Sequence, residues 1–208
     1  QYEPSGQTGR GEALDPPGAL GLLTSVPAAL LSPIPRPRWM FHVKPTFRES
    51  LLRALEPLEL DLSEQAATQL EAHWALVKTW NLRVNLTAIL DDREAAEKHF
   101  ADSLVVLRLL PPGPIVDIGS GAGFPGLPIG VLDPGRPVTL LEPRRKRASF
   151  LEVAVARLGL KNVQVRCGRA EDEPDQAYAA AVSRATFSEP DELRACLRWI
   201  VPGGQMIA

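Results

Sequence analysis

The stretch IVDIGSGAGFPG, residues 115–126, decides the fold. Ile115–Ile118 is a short apolar run closed by a glycine-rich turn, which predicts a buried strand. Gly119, Gly121 and Gly123 allow the backbone to turn tightly and approach a ligand with no Cβ in the way. The turn lies at the carboxyl end of the strand, where open α/β sheets bind their ligands. Gly121 to Gly126 also matches the dinucleotide pattern GxGxxG, which by itself discriminates weakly.

Strand and helix signals alternate outward from that turn. Pro128–Leu132 predicts a short helix and Val138–Leu141 a second strand. Ala148–Leu158 predicts a helix stopped by Gly159, and Val163–Arg166 and Ala179–Val182 two more strands. Asp191–Trp199 predicts a further helix, and the turn Pro202-Gly203-Gly204 leads into a fifth strand, Gln205–Ala208. Strands separated by helices give an α/β fold with a doubly wound, mostly parallel sheet, Rossmann-like in outline. Before the first strand the periodicity is helical. Phe47, Leu51, Leu52 and Leu55 share a face that ends at Pro57. A longer helix starts near Ser63 and lines up Leu70, His73, Trp74 and Val77, and Trp80–Thr87 is read as leaving it. Asp91 is expected to cap a third helix, with Glu94 closing a capping box. That helix carries Ala95, His99, Asp102, Val106 and Leu110 on neighbouring turns until Pro111 and Pro112 stop it.

Three parts follow: a Pro/Gly-rich tail over 1–45, a helical extension over 46–112 and a ligand-binding domain over 113–208. The first contains 8 Pro and 5 Gly and is expected to be disordered. Its apolar stretch Ala19–Leu31 is broken by Pro27 and has no basic region before it, which argues against a signal peptide. Two cysteines, Cys167 and Cys196, exclude a disulfide scaffold and fit no zinc spacing. They read as structural thiols of a cytoplasmic protein, and no run is long enough to span a membrane. The net charge of −2 argues against a uniformly basic nucleic-acid binder, but residues 113–171 carry net +4 between acidic flanks. Trp74 and Trp80 read as core residues, and His99 and Asp102, three apart, as a hydrogen-bonded pair orienting their helix against the glycine-rich turn.

Asp117 separates the possible cofactors. A carboxylate two residues before the first glycine repels a pyrophosphate and attracts a cation such as S-adenosylmethionine, which has a sulfonium and an ammonium. Glu142, 23 residues after Gly119, suits the ribose hydroxyls of either cofactor. Two alternatives stand beside this reading: an NAD(P)-dependent oxidoreductase using GxGxxG, and a truncated, non-catalytic RNA-binding remnant.

At this point the sequence resembles a known family, the bacterial 16S ribosomal RNA guanine-N7 methyltransferases (RsmG, also called GidB). IVDIGSGAGFPGLPI resembles the family's glycine-rich motif and WNLRVNLTAI (80–89) its W-N-x-x-x-N-L-T motif. KHFADSL (98–104) is similar to H-x-x-D-S, and GRAE (168–171) and SRA (183–185) to later segments, all in order. The resemblance spans Phe47 to Ala208. It implies a class I S-adenosylmethionine-dependent methyltransferase fold, with 16S rRNA or a small-subunit assembly intermediate as partner, acting as a monomer. It also implies cofactor contacts at Gly119, Phe124, Ala170, Glu171 and Arg184, with Arg184 as the catalytic candidate, beside the contacts read from the residues themselves at Asp117, Gly121, Gly123 and Glu142. Glu142 stands where the family usually has Asp, and Ala-Thr-Phe-Ser (185–188) departs from its Ala-Phe-Ala. Family members continue past the position of Ala208, so further C-terminal strands are expected beyond this sheet.

The chemistry agrees with that resemblance. Guanine N7 is an exposed lone pair on the major-groove edge. Its attack on a sulfonium methyl removes no proton, so proximity and orientation carry the catalysis and no general base is needed. Arg144, Arg145, Lys146 and Arg147 start a helix where cations oppose the macrodipole, which a phosphate partner would offset. They are read as the RNA contact, with Arg157, Lys161, Arg166 and Arg169 extending the same patch.

Overall fold

The computed structural model describes residues 45–172, 177–184 and 190–208. The tail read over 1–45 lies outside them except for Pro45, as does the Ala-Thr-Phe-Ser departure at 185–188. The described residues all fall in one compact unit, Val43–Ala208.

Helix α1 (Phe47–Leu55) opens with a reciprocal capping box. Glu49 N donates to Thr46 Oγ1 at 3.2 Å, and Thr46 N donates to Glu49 Oε2 at 2.8 Å. Helix α2 (Glu64–Val84) starts at the Ser63 cap and buries Leu70, His73, Trp74 and Val77, the face that its periodicity indicates. It runs through Trp80 to Val84, where the sequence had suggested an exit. Trp80 packs edge-on against Phe150 with centroids 5.7 Å apart, and Val84 lies against the core, so tertiary packing prolongs the helix. Asn85 then ends it in the left-handed region, at φ 50°.

Asp91 caps the next helical run through Arg93 N and Glu94 N. Glu94 does not close a capping box; its carboxylate pairs with Lys98 one turn on, at 2.7 Å. The run consists of α3 (Asp92–Ala95), a π-helical segment (Ala96–Ala101) and α4 (Asp102–Val105). A 3₁₀ turn, Val106–Arg108, follows. The wider π turn places His99 and Asp102 differently from an ideal helix, which bears on the site.

Five parallel strands follow: β1 (Ile115–Ile118), β2 (Val138–Glu142), β3 (Val163–Cys167), β4 (Tyr178–Val182) and β5 (Ile200–Ile207). Their spatial order is β3-β2-β1-β4-β5, so the order reverses beside β1. Helices α5 (Gly126–Leu132), α6 (Arg145–Leu158) and α7 (Pro190–Leu197) alternate with them. Central β1 and β2 are buried along their whole length, as expected of a sheet covered on both faces. Pro202-Gly203-Gly204 is a bulge inside β5 and not a turn before it, because Tyr178 pairs with Ile200 while Ala180 pairs with Gln205. Glycine is needed there, since a Cβ on Gly204 would lie 2.6 Å from the Ala179 carbonyl oxygen.

The helical half and the sheet share one apolar core. It includes Phe47, Leu70, Trp74 and Phe100 with Phe124, Leu127, Leu140 and Phe150. Where α5 crosses β1 and β2 the fit leaves no space at Gly126. A Cβ there would lie 2.3 Å from Leu140 Cδ2 and 2.7 Å from Asp117 Oδ2, both on fully buried residues. Gly126→Ala is therefore expected to overpack the sheet and destabilise the protein by about 1–3 kcal/mol, measured by urea denaturation. An unchanged midpoint would show that α5 has room to move.

Candidate functional site

An open crevice of about 420 Å³ lies at the carboxyl ends of the strands. Ile118 and Gly119 after β1, Leu141, Pro143 and Arg144 after β2, and Gly168 to Glu171 after β3 form its floor and wall. Glu192 and Cys196 of α7 face them. The place and size are those of a small-molecule site in a doubly wound sheet.

The turn above β1 is built from backbone bonds that only a glycine-rich segment can make. Gly119, Gly121 and Gly123 have φ of 78°, 56° and 89°. Gly119 N and Ser120 N donate to Leu141 O on the neighbouring strand, and Gly123 N and Phe124 N donate to Ser120 O. Glu142, only 2% exposed, accepts from Gly121 N through Oε2 and from Arg144 N through Oε1, both at 2.9 Å. Its carboxylate thus ties the glycine turn to the start of α6, and each oxygen keeps lone-pair capacity.

Asp117 takes a different place from the one its sequence position indicates. It is fully buried beneath the turn and does not line the crevice. Its Oδ2 accepts from Gly126 N at 2.9 Å, and its Oδ1 has no hydrogen-bond partner among the described residues. The physical reason is the pleat of β1, which turns this side chain toward α5, where Gly126 has no Cβ to exclude it. Burial raises its pKa to about 7, against the opposing pull of the Gly126 N–H.

Phe124 is also turned inward. Its ring lies 4.6 Å from the His99 ring, nearly parallel at 13°, and 4.9 Å from Phe100 edge-on. His73 completes the cluster, and its Nε2 donates to Ala122 O at 2.8 Å. His99 does not pair with Asp102, which is exposed. Its Nε2 meets Thr87 Oγ1 at 2.8 Å, and its Nδ1 has no partner among the described residues. The helix is still oriented against the glycine turn, but by ring stacking. Burial lowers the pKa of both histidines to about 4, with Arg184 adding to the effect at His99.

Arg184, just past β4, reaches away from the crevice. It donates to Lys98 O at 2.7 Å and to His99 O at 3.3 Å, latching the end of β4 to the π-helical segment. The crevice therefore brings together Gly119, Arg144, Ala170 and Glu171. Gly121, Gly123, Phe124, Glu142 and Asp117 shape it from behind, and Arg184 braces it from the side. Arg145 and Lys146, which follow Arg144 at the start of α6, are exposed, while Arg147 is half-buried and donates to Asn85 O at 2.8 Å. Arg157 ends α6, and Lys161 lines a separate hollow with Gly130 and Asn162, so neither extends the basic patch. Cys167 is exposed. Cys196 is buried in the crevice wall, where burial raises its thiol pKa to about 11. The reading of the cysteines as unreactive thiols fits this at Cys196. Sequence reading missed the roles of His73, Thr87 and Asn81. Asn81 and Thr87 carried a usable signal, since both stand in the WNLRVNLT motif.

Residues 66–208 match the family model described as rRNA small subunit methyltransferase G. The chain belongs to that family. Among curated relatives, the "Ribosomal RNA small subunit methyltransferase G" of Clostridium botulinum (strain Okra / Type B1) is 38% identical over 170 residues. That alignment covers 78% of this chain and 71% of the relative. The protein of the same name from Halorhodospira halophila is 38% identical over 161 residues, 77% of each. Among solved structures, a protein-L-isoaspartate O-methyltransferase aligns with a TM-score of 0.52 and 21% identity, over 76% of this chain and 54% of its own. This likeness establishes the methyltransferase-type α/β fold. Membership of the family sets aside the oxidoreductase reading of GxGxxG.

The buried groups make stability depend on pH in a specific way. Between about pH 4.5 and 6.5 the unfolded chain holds protons on His73 and His99 that the folded chain lacks, so stability falls as pH drops. Folded Asp117 keeps a proton that the unfolded chain has released, which offsets part of that loss. Asp117→Asn is thus expected to steepen the acid-side loss, roughly doubling its slope. Urea midpoints across this range measure it, and parallel curves for the two proteins would contradict the buried-acid assignment.

Proposed function

We propose that this chain transfers the methyl group of S-adenosylmethionine to N7 of a guanine in 16S ribosomal RNA. The observation that carries the reading is the family match over residues 66–208, coincident with a crevice at the carboxyl ends of β1, β2 and β3. The residues present fit such a donor. Gly119 and Ala170 offer backbone edges and small side chains along the crevice, and Glu171 an exposed carboxylate at its wall. Glu142 lies behind the glycine turn with acceptor capacity to spare, and the unpartnered Oδ1 of Asp117 lies deeper still. When bound, S-adenosylmethionine supplies an electrophilic methyl on a sulfonium.

The protein's own part is binding and alignment. A guanine N7 lone pair held in line with that methyl would form the N–C bond as the S–C bond broke with its electron pair on sulfur, and this chain's residues would supply the alignment. N7 carries no proton, so no base is required. The site matches that demand. The Cys196 thiol stays protonated at neutral pH, and His73, buried, and His99, half-buried, are neutral and outside the crevice lining. Arg184 acts here as a positioning residue, holding the π-helical segment whose His99 supports Phe124. Arg144 at the crevice, and the exposed Arg145 and Lys146 that follow it at the start of α6, supply positive charge for RNA phosphates, which position the substrate without reading its sequence.

Incubation with methyl-labelled S-adenosylmethionine and unmodified small-subunit rRNA tests the reading. Label is expected on a single guanine, and its N7 position is revealed by chain cleavage after borohydride and aniline. Label on another base atom, or on protein alone, would overturn the N7 assignment.

A further inference from the structure

The last turn of α2 places a cation and a large apolar side chain in solvent beside the basic start of α6. Leu82 is 86% exposed, and Arg83 next to it is exposed as well. Two residues on, the Asn85 carbonyl accepts from Arg147 Nη2 at 2.8 Å, which joins the two elements.

The turn after α2 is held rigidly from inside. Asn81 Oδ1 accepts from Leu86 N and Thr87 N, and Asn81 Nδ2 donates to Thr87 O. Thr87 Oγ1 accepts from Ile89 N and meets His99 Nε2. Between this turn and Arg147 runs a groove of about 390 Å³, lined by Asn85, Leu86, Thr87 and Ala88. Its Arg147 edge adjoins the glycine turn: a Cβ on Gly121 would lie 3.9 Å from Arg147 Nη1.

Four cations of the helical half are neutralised from within the chain. Arg48, Lys78, Arg93 and Lys98 each pair with a carboxylate. Among the described residues, no ion pair forms at Arg83, Arg144, Arg145, Lys146 or Arg147. Positive charge free of internal ion pairs, with Arg147 lining the groove and Arg83 exposed in the last turn of α2, is complementary to a polyanion.

We infer that Arg83 and the groove between residues 85–88 and Arg147 take a phosphodiester segment of the RNA substrate, so that the helical half of the chain binds RNA alongside the sheet. The inference rests on the RNA substrate proposed above. It gives Arg147 two tasks, bracing the turn and facing the phosphates. It also places the bound strand next to the Thr87–His99–Phe124 contacts that support the glycine turn.

Charge reversal at two exposed positions tests it. Arg83→Glu lies in the patch. Arg157→Glu, in the last turn of α6, makes the same change in net charge about 18 Å along that helix from its start. Affinity for a labelled, unmodified small-subunit rRNA fragment is measured by fluorescence anisotropy across a salt series, and S-adenosylmethionine affinity by calorimetry. Arg83→Glu is expected to weaken RNA binding at least tenfold and to lower the slope of log K against log salt by about 0.7. Arg157→Glu should stay within about twofold, and both should bind S-adenosylmethionine as the wild type does. Arg83→Gln, with an intermediate loss and an unchanged melting temperature, separates charge from folding. Equal effects of the two reversals, with wild-type transfer intact, would overturn this inference alone. A wild-type protein that binds no RNA would overturn it together with the substrate reading.

Discussion

Two buried carboxylates on neighbouring strands hold the glycine turn in shape. Glu142 receives the Gly121 N–H from above β2, and Asp117 receives the Gly126 N–H from beneath β1. A turn with three positive-φ glycines leaves its peptide groups pointing away from any regular ladder, and buried N–H groups without acceptors are costly. Backbone carbonyls of Ser120 and Leu141 take most of these N–H groups, and the two acidic side chains supply the acceptors for Gly121 and Gly126. The arrangement also fixes what surrounds it. Leu140 and Asp117 leave no room for a Cβ at Gly126, and α5 starts where the Asp117 bond is made.

The helical half completes the support from the other side. His73 from α2 and His99 from the π-helical segment press their rings against Phe124, and His73 also holds the Ala122 carbonyl. Arg184 fastens the same segment to the end of β4. The glycine turn is thus clamped between the sheet and a helical layer with which it shares one core. The arrangement suits chemistry that depends on alignment more than on proton transfer, since an orientation error of an ångström can cost a large factor in rate.

Much of this was legible in the sequence. The glycine spacing at 119–123, the acid at 142 and the alternation of strand and helix signals carried the sheet and the location of the crevice, because each depends on local backbone rules. What local rules could not supply was side-chain direction. Asp117 and Phe124 stand in the right segment, yet they point into the protein, and only the pleat of β1 and the packing of α3 to α4 reveal it. Trp80 to Val84 reads as an exit from a helix because Asn and Trp are poor helix residues, but contact with Phe150 overrides that preference. The π-helical turn at Ala96–Ala101 leaves no compositional trace, so the expected His99–Asp102 pair was replaced by a stack. Pro202-Gly203-Gly204 carried a correct signal of irregular backbone, and what it marks is a bulge within the strand.

The central claim is that the turn held by Glu142 forms the floor of a site for a sulfonium cofactor. Calorimetric titration of S-adenosylmethionine and of NADH into the wild-type protein and Glu142→Ala tests it most directly. The expected result is binding of S-adenosylmethionine and not NADH to the wild type, with affinity reduced at least tenfold in a variant that remains folded. Equal affinity in both proteins, or preferential binding of NADH, would contradict the account.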